Sequence, residues 1–261
     1  MQRYFFSLFV SLVLGLCAQA QPYCSVKTFN LRDGLASNVI TGLVQTPDQL
    51  MWFSTWNGLT CYDGYHFTNY RTQGQHRTLT TNRLLNIQAS QTGNVWCITY
   101  DQKPFLFDRR QSTFVDIGSY ISQQYGDNFH TSRAIPMKNG HTWLLNIENG
   151  GAVYRVADDA YWQQGAIEQY PSASWIVEDA DGDEWILYDD HVSLLGSPFD
   201  SHLPFVFIQQ VGRQVFLATA DGHLSYYDKE QGRLHPFEPE HQPGQVLSLV
   251  QAGERWLVVA S

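Results

Sequence analysis

Apolar residues recur along this chain in short runs, and each run meets a turn signal before it is long enough for a helix. The clearest runs carry a tryptophan: Met51-Trp52-Phe53-Ser54-Thr55, Val95-Trp96-Cys97-Ile98-Thr99, Thr142-Trp143-Leu144-Leu145, Glu184-Trp185-Ile186-Leu187 and Arg255-Trp256-Leu257-Val258-Val259. Val215-Phe216-Leu217-Ala218-Thr219 is the same unit with Phe in place of Trp. Successive markers lie 44, 47, 42, 31 and 40 residues apart, a mean of about 41. That period is the length of a four-stranded β-propeller blade.

Each unit also divides internally into strands. An apolar run precedes the marker at 39–44, 84–87, 175–177, 205–208 and 246–250, and a turn such as Pro47-Asp48, Thr92-Gly93-Asn94, Asn139-Gly140 or Asp181-Gly182 joins it to the marker strand. A second turn follows at Asn57-Gly58, Asn149-Gly150 and Asp221-Gly222, then a third strand, as at 59–63 and 224–228. Outer strands are predicted at 65–70, 114–117 and 234–237, with none convincing between Ser197 and Pro204. Beyond the N-terminal leader no segment shows the 3.6-residue period of a substantial helix, so an all-β chain of antiparallel four-stranded blades is expected.

Residues 1–20 are expected to be a signal peptide: Arg3 gives a positive start, 4–16 is an apolar run short for a membrane span, and Ala18-Gln19-Ala20 fits a cleavage site. A lipoprotein reading through Cys17 fits less well, because Leu16 is large for that position. Residues 21–261 then hold about six units, with the chain ending inside the second strand of the sixth. Residues 23–31 read as an outer strand of the kind that closes a ring on its last blade. A seven-bladed ring at this period needs roughly 287 residues, so the expectation is the N-terminal part of a propeller, truncated in its sixth blade.

Composition narrows the function classes. Sixteen Lys and Arg against 25 Asp and Glu give a formal charge of −9, which argues against nucleic acid or anionic lipid as a partner. Cys24, Cys61 and Cys97 remain after the leader; Cys61 and Cys97 sit in apolar runs as small hydrophobes, and a disulfide from Cys24 to either is left open.

The stretch 29–70, with Asp33-Gly34-Leu35-Ala36-Ser37-Asn38, then Trp52-Phe53-Ser54-Thr55-Trp56-Asn57-Gly58-Leu59, then Tyr62-Asp63-Gly64, resembles the first repeat of the two-component regulator propellers. The likeness is loose in later units, where the Gly-Leu after the marker strand becomes Lys103-Pro104-Phe105 and His191-Val192. The resemblance implies the periplasmic sensor region of a hybrid sensor histidine kinase of Bacteroidetes type. In that family two propellers precede a β-sandwich, a membrane helix, a kinase, a receiver and a DNA-binding domain, and none of those later parts is expected within these 261 residues. It further implies an oligosaccharide ligand, a homodimer in the full-length sensor, and no catalysis by the propeller itself.

No cofactor fingerprint, phosphate-cradling loop, catalytic serine motif or metal-ligand spacing occurs, so neither a cofactor nor a catalytic residue is expected. Asp179-Ala180-Asp181-Gly182-Asp183-Glu184 alternates carboxylates like a calcium loop, but lacks Gly at its sixth position and Glu at its twelfth. An ordinary turn is the favoured reading there. The marker tryptophans belong in the core because they recur at one place in each unit. Trp56 differs, standing just before the Asn57-Gly58 turn, where it can stack on a sugar or cap the blade. Turns at the equivalent place supply Tyr100, Asp101 and Lys103, then Glu148 and Asn149, then Asp189, Asp190 and His191, the candidate polar contacts of a ligand site. The competing reading is a secreted propeller enzyme, a lyase or glycosidase acting on polysaccharide.

Overall fold

The computed structural model describes residues 26–72, 79–126, 129–145, 153–163, 165–238, 244–252 and 255–260. Its strands make five four-stranded sheets and one two-stranded sheet, each an antiparallel meander in chain order. Blade 1 contains β1 (Ile40–Gln45), β2 (Met51–Thr55), β3 (Gly58–Tyr62) and β4 (Phe67–Tyr70); blade 2 contains β5 (Leu84–Ala89), β6 (Val95–Thr99), β7 (Pro104–Asp108) and β8 (Thr113–Asp116). Blade 3 contains β9 (Arg133–Pro136), β10 (His141–Leu145), β11 (Val153–Ala157) and β12 (Ile167–Tyr170). Blade 4 contains β13 (Ala173–Glu178), β14 (Glu184–Tyr188), β15 (Val192–Leu194) and the stub β16 (Asp200–Ser201). Blade 5 contains β17 (Phe205–Val211), β18 (Gln214–Thr219), β19 (Leu224–Asp228) and β20 (Arg233–Phe237), and β21 (Val246–Ala252) pairs with β22 (Arg255–Ala260) in the sixth unit. First strands are neighbours, β1 on β5, β5 on β9, β13 on β17 and β17 on β21, so successive blades turn about one axis.

The core lies between blades rather than within one. Because strand side chains alternate faces, each second strand serves two interfaces: in β6, Trp96 packs with Leu144, Tyr154 and Val156 of blade 3, while Cys97 packs with Trp52 and Leu59 of blade 1. The same arrangement repeats through Trp143 against Ile176 and Ile186, and through Trp185 against Phe205 and Leu217. Trp52, Trp96, Trp143 and Trp185 are all buried, as their period requires, and Phe216 fills the position in blade 5. The side chain of Trp256 lies outside the described residues. Cys61 and Cys97 are free and buried, and burial pushes the Cys61 thiol up to about 11. Cys24 and the leader also lie outside the described residues.

Each indole N–H at these interfaces finds a buried acceptor. Trp52 donates to Thr46 Oγ1 (3.1 Å) and Trp185 to Asp179 Oδ2 (3.0 Å) in their own blades. Trp96 and Trp143 instead donate to the following blade, to Asp158 Oδ1 (3.1 Å) and Glu184 Oε2 (2.6 Å). An ion pair or buried carboxylate therefore ties each of the first four junctions: Arg109 to Asp48, Ser90 to Asp158, Arg155 to Glu184, and Lys229 to Asp179. At the fifth junction the Gln209 side chain exchanges two hydrogen bonds with the backbone of Leu249, both 2.9 Å.

The all-β expectation stands, with one helix added to it and one predicted strand corrected. The helix α1 (Ile117–Tyr125) interrupts the all-strand reading directly after β8, which ends one residue short of the predicted 114–117 strand. Asp116 caps it by accepting from Ser119 N (3.0 Å), Ile117 and Ile121 are buried one turn apart, and left-handed Gly126 ends it. The predicted outer strand at 23–31 is not a strand over residues 26–30, and Leu31–Asp33 forms a 3-10 turn held by a reciprocal Asn30 and Asp33 capping box.

Candidate functional site

The link into each of the first three blades repeats one local design. Leu35, Leu79 and Phe129 are buried; two residues later the hydroxyls of Ser37, Thr81 and Thr131 accept from the backbone N–H of Val39, Arg83 and Arg133. Asn38 and Asn82 then accept from Leu31 N and Thr72 N, bonding each link to the chain before it. The Asp33 to Asn38 motif thus serves the backbone, Asp33 in the capping box, left-handed Gly34 ending the 3-10 turn, and Leu35 and Ala36 in the core.

These links emerge at the same end of the blades as the turns between second and third strands, which display side chains outward. Trp56 and Tyr100 occupy equivalent places: each is the first residue after its second strand, and each backbone N–H donates to the residue just before or at the opening of its first strand, Val39 O (3.3 Å) and Arg83 O (2.9 Å). Both rings are uncovered, Trp56 at 50% exposure and Tyr100 at 63%. The Arg83 guanidinium of blade 2 stands over the Trp56 ring, 5.4 Å from its centroid, while the Arg83 carbonyl holds Tyr100. Asp101 accepts from Thr80 Oγ1 (3.2 Å) on the blade 2 link, and Lys103 closes the Tyr100 turn through backbone bonds with Thr99.

Gly58 explains why Trp56 is held out. Its φ is +107°, its N–H donates to Asn82 O (2.8 Å), and a Cβ there would stand 2.3 Å from Tyr70 O. Thr55 and Asn57 complete the turn, Thr55 Oγ1 donating to Gly58 O and Asn57 Nδ2 reaching Ala36 O.

Arg83 links Trp56 of blade 1 to Tyr100 of blade 2, Asp101 follows Tyr100 in the same turn, and Asp190 and His191 belong to blade 4. His191 stacks on Tyr188, rings 4.2 Å apart and 9° from parallel, and bonds Asp190 Oδ1 at 2.6 Å. That bond holds the Asp190 carboxyl below its usual range. Glu148 and Asn149 lie outside the described residues. Arg83 is the contact that sequence reading missed, although its place two residues after Thr81 matches that of Val39 after Ser37.

The alternating carboxylates at Asp179 to Asp183 form the expected turn, not an open cation loop. Lys229 of blade 5 sits among them, its Nζ 2.7 Å from Asp179 and 2.8 Å from both Asp181 and Asp183. Burial opposes the ammonium, but the three carboxylate bonds outweigh it and raise its pKa. Among the described residues no grouping of His, Cys, Asp or Glu could hold a metal ion, and no helix is long and apolar enough to cross a membrane.

Radial four-stranded meanders joined through their first strands define a β-propeller. Within it, residues 34–57 match the family model of the two component regulator propeller, so blade 1, from Gly34 through β1 and β2 to the Trp56-Asn57 turn, carries that repeat. The extracellular domain of the hybrid two component system BT4673 from B. thetaiotaomicron is similar at 15% identity and TM-score 0.49, over 90% of this chain and 36% of that one. Virginiamycin B lyase from Staphylococcus aureus is similar at 15% identity and TM-score 0.45, over 79% and 73%. The computationally designed Ika8 protein gives 14% identity and TM-score 0.50, over 85% and 68%. The chain spans 39% of the extracellular domain of a second such system, BT3049. No curated protein matches the chain.

Proposed function

We propose that this chain is the ligand-sensing propeller of an exported two-component sensor, itself non-catalytic, and that it binds an oligosaccharide at the blade 1 and blade 2 turns. The observation that carries the reading is that exposed Trp56, in the repeat that matches the two component regulator propeller, and exposed Tyr100 hold equivalent places on adjacent blades and share Arg83 as a neighbour. A sugar ring offers an apolar C–H face to an indole and hydroxyls to neighbouring polar groups, and Asp101 with Arg83 supplies both an acceptor and a donor. The sensor would act from the periplasm as a homodimer, with a membrane helix and a kinase contributed by sequence beyond this chain.

Glycan-array screening of the purified chain, followed by calorimetry on the best oligosaccharide, tests this reading. Binding is expected, with Trp56→Ala weakening it by about 1–3 kcal/mol. Unchanged affinity in that variant, or no binding across the array, overturns the assignment.

A further inference from the structure

At the same end of the propeller, nearer the axis, the first strands carry a second repeated feature. The register of β1, β5, β13, β17 and β21 against their second strands slips once, always after the first residue, leaving Thr41, Leu85, Ser174, Val206 and Leu247 as bulged residues. In blades 4, 5 and 6 three consecutive bulges, Ser174, Val206 and Leu247, line one cavity of about 440 Å³ together with Trp175, Phe207 and Gln209. Val206 and Leu247 remain 47% and 56% exposed there. Such a volume is within the range of small-molecule sites.

The polar side chains of this cavity are already engaged within the protein. Ser174 Oγ donates to Leu187 O (3.0 Å), and the Gln209 amide is used at both ends by the backbone of Leu249. A polyol entering would exchange water for walls with few free partners, which is costly, whereas a compact apolar body loses nothing. A cation is stacked on one of the lining residues. Arg133, the first residue of β9, lies over the Trp175 ring at 4.7 Å from its centroid and makes no ion pair with a described residue, in a chain of net charge −9.

We infer that this cavity is a second binding site, for a small organic acid with an aromatic or branched aliphatic body: the body packs against Trp175, Val206, Phe207 and Leu247, and the carboxylate meets the Arg133 guanidinium. A planar guanidinium resting on an indole is pre-organised to receive a carboxylate with two parallel N–H bonds. The site is separate from the blade 1 and blade 2 turns, and its occupation does not depend on the oligosaccharide reading.

Saturation-transfer NMR and calorimetry with 3-phenylpropionate, and with its neutral counterpart 3-phenylpropan-1-ol, test the inference on the purified chain. The acid is expected to bind more tightly than the alcohol. Arg133→Met should weaken the acid by about tenfold while leaving the alcohol nearly unchanged. Val206→Trp, at an exposed bulge, fills the cavity and should abolish binding of both probes without lowering the melting temperature; Leu247→Trp serves if it does. Absence of binding by the acid, equal acid affinity in the Arg133→Met protein, or retained binding in the filled variants that fold would each overturn the proposal.

Discussion

Trp143 Nε1 donates to Glu184 Oε2 across the junction of blades 3 and 4 at 2.6 Å, inside a cluster where the same carboxylate also receives Asn139 and the Arg155 guanidinium. Glu184 is buried; desolvation alone would raise its pKa, yet the Arg155 and Asn139 bonds win and hold it below the usual glutamate range. Glu184→Ala leaves a buried indole N–H and a largely buried guanidinium without their acceptor. Chemical denaturation should show a loss of about 3–5 kcal/mol, with Glu184→Gln losing less because one acceptor oxygen survives.

Asp158 behaves in the opposite sense. It accepts from Ser90, Trp96 and Thr142 at the blade 2 and 3 junction, but burial outweighs those bonds and raises its pKa to about 6. The folded protein therefore holds a proton here that the unfolded chain releases near pH 3.8. The contribution is present below that value and declines as pH rises toward about 6, on the order of 2–3 kcal/mol in all. Denaturation midpoints between pH 4 and 7 should show this slope, and Asp158→Asn should flatten it. An unchanged slope in the variant would place the titration elsewhere.

Much of this architecture was legible because each blade repeats one buried marker, and an indole at 0–2% exposure cannot drift along its strand without breaking two interfaces. The misses have local causes. β9 escaped notice because Pro136 ends a run of only Ala134 and Ile135 between polar neighbours. The nine-residue helix α1 has Gly118 in its first turn and only Ile117 and Ile121 as a clear helical pair, too few positions to set a period. The expected strand at 23–31 gives way at its end because Asn30 and Asp33 cap each other across the Leu31–Asp33 turn. Arg83 over Trp56 and Arg133 over Trp175 join residues from different blades, and nothing in local spacing announces such a contact.

Lys229 is an internal counter-ion for the turn that most resembles a metal loop. Asp179 is buried, and although desolvation pushes its pKa up, the Lys229 and Trp185 bonds bring it below the usual range. Lys229→Met keeps the aliphatic stem and removes only the charge, leaving three carboxylates facing one another. Thermal melting should report a loss of about 1–3 kcal/mol at pH 7. The difference should shrink as pH falls below 3.8, the ordinary value for Asp179, toward the lower value at which its folded carboxyl takes up a proton. A loss that does not shrink in acid would mean that neutralising these carboxylates is not what Lys229 contributes at the junction.

Trp56 and Gly58 stand two residues apart in one turn and should respond in opposite ways to the same substitution. Trp56 is half exposed and its N–H bond to Val39 O belongs to the backbone, so Trp56→Ala should change folding stability by no more than about 0.5 kcal/mol while weakening oligosaccharide binding. Gly58→Ala places a Cβ against Tyr70 O at 2.3 Å on a residue with φ of +107°, and the turn must shift to relieve it. That shift strains the Gly58 N–H bond to Asn82 O, which ties blade 1 to the link entering blade 2. Gly58→Ala should therefore cost about 2 kcal/mol or more in stability and also lower ligand affinity, because Trp56 loses its fixed direction. Calorimetry and denaturation on the two variants separate the roles. If Trp56→Ala destabilises the fold as much as Gly58→Ala does, the indole is a cap on the blade and the ligand site lies elsewhere on the propeller.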